Sequence, residues 1–168
     1  MKYGFVKVAS AIPSVRVADC QFNIEQIESM VVQAEGKGVE IICFPELSIT
    51  SYTCQDLFQQ QLLIDEAEMA LINLMNFSRG LDIISIVGLP VDYNGCLLNC
   101  AAVIQHGRIL GLVPKTYLPN YKEFYEKRWF ASAQALSDDR QLYIAGSPAV
   151  VSSRPKVFTT IDGVKFGM

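Results

Sequence analysis

Apolar residues recur along this chain with two different periods. Residues 3 to 12 read as a first strand, and Ile24, Ile27, Met30, Val31 and Ala34 then return at intervals that place them on one face of a helix. Asp19 and Asn23 are possible caps for its start, and Gly36 and Gly38 close it. The next run, "VEIICFPE", is short, β-branched and apolar at consecutive positions, as expected of a strand covered on both faces. Strand, helix and strand make a crossover unit, followed by a polar loop through Tyr52.

Residues 56 to 78 carry Leu57, Phe58, Leu62, Leu71, Leu74, Met75 and Phe77 among polar neighbours, a second helix that Gly80 stops before the strand "DIISIVGLP". Asn94-Gly95 and His106-Gly107 then sit between β-like runs as hairpin turns, so the sheet becomes mixed. Residues 115 to 140 are aromatic, charged and without a clean period, which reads as a long ordered loop of the kind that serves a site. "QLYIAGSPAVV" reads as one strand, and "KVFTTIDGVKFGM" as a hairpin whose Asp162-Gly163 turn suits type I′ geometry. Layered α/β architecture is the expected class.

Composition narrows the function. With 51% hydrophobic positions in 168 residues, the chain can build one core and not two full domains. Its net charge of −3, with Lys and Arg interleaved among Glu, excludes a basic stripe for nucleic acid. Lys7 interrupts the first apolar run, which is too short for a signal peptide, and no apolar stretch approaches the length of about 20 residues that a membrane span needs. Five cysteines, an odd number, imply a reducing compartment and mostly buried thiols at Cys20, Cys43, Cys54, Cys96 and Cys100; the cytoplasm is the expected location.

Several chemistries fail on inspection. The single histidine, His106, lies in a turn, and no G-x-S-x-G elbow accompanies it, which argues against a histidine-based hydrolase. "GKG" at residues 36 to 38 closes a helix, whereas phosphate binding needs glycines that open one. Cys96 and Cys100 have no second pair to complete a zinc site and are expected in the core. Two charged residues at strand ends remain, Glu46 after "IICFP" and Lys115 after "LGLVP". Taken singly, each is better explained as a charge leaving a strand for solvent. Together, a carboxylate base and a lysine can replace histidine in amide hydrolysis, one taking the nucleophile's proton and the other stabilising the oxyanion.

At these residues the sequence resembles a known family. "IICFPELSITSYTCQDLF" and "VPKTYLPNYKEFYEKRWF" look like the glutamate and lysine motifs of the nitrilase superfamily (carbon-nitrogen hydrolases), and more narrowly like the glutaminase domain of glutamine-dependent NAD+ synthetases. The opening segment is similar as well, so the likeness runs over nearly the whole chain. It implies an α-β-β-α sandwich and a Glu-Lys-Cys triad that hydrolyses glutamine and passes ammonia to a synthetase domain. By motif matching, Glu46 is the general base, Lys115 the oxyanion lysine and Tyr121 a glutamine contact. In the family the nucleophile lies in a segment resembling "G-x-E-I-C-E-D-x-W", and here the chain reaches "KFGM" first. Residues 1–168 are therefore expected to be a partial glutaminase domain, inactive alone, without a cofactor of its own. ATP and Mg2+ are expected in the absent synthetase domain, and self-association into a homo-oligomer is expected of the exposed edges. The alternatives are a stand-alone amidase or carbamoylase and a non-catalytic scaffold of the same fold.

Overall fold

The computed structural model describes residues 5–136 and 139–168. β1 (Val8–Ser10), β2 (Ile41–Cys43) and β3 (Ile84–Tyr93) run parallel, with α1 (Cys20–Gly36) and α2 (Gln61–Phe77) as their crossovers. β4 (Cys96–Gln105) and β5 (Arg108–Pro114) continue the sheet antiparallel, and the β6 (Arg140–Ile144) and β7 (Ser147–Val151) hairpin completes it in the order β1-β2-β3-β4-β5-β7-β6. β8 (Val157–Thr159) and β9 (Lys165–Gly167) form a separate two-stranded sheet.

Strand alternation sends successive side chains of β3 to different layers. Val87, Leu89 and Val91 enter the main core with Ile24, Ile27 and Val31 of α1 and Leu71 and Leu74 of α2. Ile84 and Ile86 face the other way and meet Val103 and Phe158, whose ring stacks on Phe166 of the β8–β9 hairpin at 5.4 Å. A helical layer, a mixed sheet and a small second sheet are thus stacked in sequence, an α/β arrangement of the sandwich type.

The first helix follows its pattern closely: Asp19 caps it by accepting from the Phe22 N–H. Asn23 does not cap. It is fully buried and its amide joins Arg16 to the Ile49 carbonyl, which pins the loop before α1 to the turn after β2. Several expectations need correction. Of the strand expected over 3 to 12, residues 3 and 4 lie outside the described residues, and the paired part is Val8–Ser10. The second helix starts at Gln61, because Tyr52–Gln59 is a 3-10 segment broken by Gln55 at φ 51° and ψ −128°. "QLYIAGSPAVV" is a hairpin, since Ala145 and Gly146 both take positive φ, as do Asn94-Gly95 and His106-Gly107. At Asp162-Gly163 only the glycine does, and a five-residue loop separates the Thr159 and Lys165 partners, so that turn is not type I′. Residues 137 and 138 of the long loop fall outside the described residues.

Candidate active site

Glu46 stands on the turn that follows β2, and the sheet is shaped to receive that turn. The Phe44 N–H donates to the Ile86 carbonyl (2.9 Å), the Ile49 N–H to the Gly88 carbonyl (3.1 Å), and the Gly88 N–H to Ser48 Oγ (3.2 Å). A Cβ on Gly88 would come within 2.3 Å of the Leu47 nitrogen, so a residue without a side chain is needed where the turn crosses β3.

Asn99 and Lys115 share a sheet face with Ala101, Val103 and Val113, the residues that pack under the β8–β9 hairpin. Just past β5, the Lys115 N–H donates to the Asn99 carbonyl at 2.7 Å and extends the ladder. Its Nζ then reaches Glu46 Oε2 and Glu126 Oε1, both at 2.9 Å, while Asn99 Nδ2 donates to the same Glu46 oxygen at 3.4 Å. Glu126 is 2% exposed and begins a short 3-10 turn, Glu126–Arg128, in the long loop. Its Oε1 also accepts from the Tyr52 hydroxyl at 2.5 Å, and its Oε2 is buried with no partner among the described residues.

These contacts set the electrostatics. Burial favours a neutral Lys115, but the bonds to Glu126 and Glu46 outweigh it and hold the ammonium above its ordinary range. Lys115 therefore stays charged at neutral pH and can supply positive charge, not accept a proton. Desolvation and the Glu126 carboxylate push Tyr52 upward, so its hydroxyl remains a donor. Glu46, half exposed, is the carboxylate open to take a proton from a nucleophile. The ammonium occupies the space between the two carboxylates, where a bound cation would have to sit. Together with Cys43, Gly88, Asn99 and Met168, the pair lines a cleft of about 280 Å3.

The structure brings Glu46 and Lys115 together and leaves Tyr121 outside this group: the residue is 63% exposed and its ring meets Phe124 edge-on at 5.8 Å. Glu126 and Tyr52 were missed from the sequence, where Glu126 passes for a solvated member of "EKRWF"; its place in the aromatic loop segment was the available signal. His106 is an exposed turn residue bonded to Asp82 at 2.9 Å, away from the cleft. Among the cysteines, Cys20, Cys54 and Cys100 are buried, and burial pushes their thiols up, Cys20 to about 12. Cys43 and Cys96 are exposed, contrary to expectation: each sits at a strand end where the covering layers stop. The Cys43 thiol lies against its neighbour's carbonyl at 3.7 Å, and although the residue is exposed, partial desolvation pushes the thiol up.

The sequence profile of carbon-nitrogen hydrolases matches residues 7–167. The glutamine-dependent NAD(+) synthetase of Mycobacterium tuberculosis (strain ATCC 25618 / H37Rv) is 36% identical over 130 residues, which make up 77% of this chain and 19% of that protein. A glutamine-dependent NAD(+) synthetase from Cytophaga hutchinsonii has a crystal structure that superimposes with a TM-score of 0.84 at 25% identity, covering 94% of this chain and 26% of that one. An amidase from Nesterenkonia sp. shares the fold, with a TM-score of 0.66 at 21% identity over 86% of this chain and 54% of its own. The chain thus spans about a fifth of the length of the curated relatives it matches.

Proposed function

The chain belongs to the carbon-nitrogen hydrolase family, and from that premise we propose that it is the glutaminase part of a glutamine-dependent NAD+ synthetase. In this reading it releases ammonia from glutamine for a synthetase domain that amidates nicotinic acid adenine dinucleotide. The Lys115 ammonium held between Glu46 and Glu126 is the observation that carries it. Glu46 takes the proton of an attacking thiol, Lys115 stabilises the oxyanion formed on the carboxamide, and Glu126 keeps Lys115 aimed at it. Tyr121 is assigned by resemblance as a contact for the rest of the glutamine molecule. The likeness to synthetases over most of the chain supports this over a stand-alone amidase.

The thiol is proposed to follow Met168. None of the five cysteines bonds Glu46 or Lys115, although Cys43 lines the same cleft as Met168. ATP and Mg2+ are assigned to the synthetase domain. No helix among the described residues is long and apolar enough to cross a membrane, and free thiols suit a reducing cytoplasm. The test compares ammonia release from glutamine by the 168-residue chain and by the longer product of the same reading frame. The longer protein should turn over and the shorter should match a control protein. Turnover by the 168-residue chain that disappears in Cys43→Ser would transfer the role to Cys43 and overturn this placement of the thiol.

A further inference from the structure

On the outer side of Glu126, two loops distant in sequence are joined by an unusually complete set of bonds. Asp56 lies four residues after Tyr52 in the 3-10 segment, and Arg128 and Trp129 follow Glu126 by two and three residues. Arg128 Nε and Nη2 donate to the two Asp56 oxygens at 2.7 and 3.1 Å, and Trp129 Nε1 donates to Oδ1 at 2.9 Å. The side chains of Arg128 and Asp56 are 57% and 61% exposed, a setting in which an ion pair adds little to folding. Apolar contact already holds the loops together, since Phe58 is buried against Phe130 and Trp129 with ring centroids 4.9 and 6.1 Å apart. What the planar fork adds is angle and register.

That register has a target. The joined loops carry Tyr52 and Glu126, and the Tyr52 hydroxyl reaches the same Glu126 oxygen that receives Lys115. Asp56, Arg128 and Trp129 line no part of the Glu46–Lys115 cleft, so they act on it indirectly, and this pair gives them a side-chain route to Lys115. Resting on the assignment of Lys115 as the oxyanion lysine, we infer that Asp56, Arg128 and Trp129 form a positioning clasp that sets where Glu126 stands and thereby where Lys115 points. A displacement of about 1 Å at a group of this kind is enough to cost much of a catalytic centre's rate.

The 168-residue chain suits the test because Trp129 is its one tryptophan. Its indole N–H signal reads the clasp, and the titration of labelled lysine Cε reads Lys115. Asp56→Asn should shift the indole signal and move the Lys115 midpoint down toward the ordinary lysine value, with circular dichroism unchanged. Tyr52→Phe should move Lys115 the same way while leaving the indole signal in place, and the double variant should move Lys115 no further than the larger single change. If Asp56→Asn does not fold, Arg128→Lys, which keeps the charge and loses the fork, must give the same two shifts. An indole shift with Lys115 unmoved, or shifts that simply add, would reduce the clasp to a surface ion pair and overturn the inference. None of these signals depends on hydrolysis. A Lys115 that responds in this way, while a synthetase carrying this domain shows no glutamine-dependent ammonia release, would refute the functional reading alone.

Discussion

An ammonium held between two carboxylates meets opposing demands, since burial disfavours its charge while both neighbours require it. At Lys115 the neighbours win, and the sign of that balance is testable. A lysine whose folded pKa lies above its ordinary value gives stability that is complete below the ordinary value and is lost as pH rises through the folded one. Lys115→Met should therefore flatten the alkaline arm of the stability profile, followed by thermal melts above about pH 10. At neutral pH the variant should be less stable by roughly 3 kcal/mol, because Glu126 stays buried with the Tyr52 hydroxyl as its remaining partner. Glu46 and Lys115 were legible in the sequence because each ends an apolar strand, a position that a neighbouring motif makes chemical. Glu126 and Tyr52 were not. Their meaning comes from a bond between residues 74 apart, which no local period records.

Elements position these residues with little slack. Where the Glu46 turn crosses β3, Gly88→Ala should cost about 3 kcal/mol by overpacking and displace Glu46 from Lys115. Gly80→Ala, with open space around it, should change chemical denaturation by less than about 0.5 kcal/mol. Acid provides a second probe of the loops. Hydrogen bonds from Arg128 and Trp129 hold the Asp56 carboxyl down to about 2. The contribution of Asp56 is thus complete above the ordinary carboxylate value and lost as pH falls from there through about 2, where Trp129 fluorescence should change. Both helices and the β3–β4–β5 hairpins were readable, since a period or a two-residue turn marks each. The β6–β7 hairpin and the start of α2 were not. Ala145 and Gln55 take positive φ, which their residue types do not advertise.

On the scale of the whole molecule, the sheet of the described residues ends in β1 on one side and β6 on the other, and Phe5, Val8 and Ile12 are exposed along the first. Unpaired edges with apolar side chains template further pairing, and a net charge of −3 opposes it weakly. The chain should accordingly scatter light increasingly across a concentration series and bind an apolar dye; a dye-silent monomer at high concentration would contradict this. The family and the layered α/β architecture could be read from the sequence almost throughout, because two motifs and two helical periods span it. The polar cluster around Lys115 was only partly visible, as Asn99, Glu126 and Tyr52 join it through bonds between residues far apart in sequence.

Nitrogen source separates the proposed centre from everything else in a synthetase that carries this domain. Rates of NAD+ formation should be measured with glutamine and with ammonium for the unaltered enzyme and for Glu46→Gln. The account predicts that glutamine-driven synthesis falls to background while ammonium-driven synthesis is retained, because only the first uses the carboxylate beside Lys115. Equal loss of both in a folded variant, or glutamine-driven synthesis that survives the substitution, would contradict it.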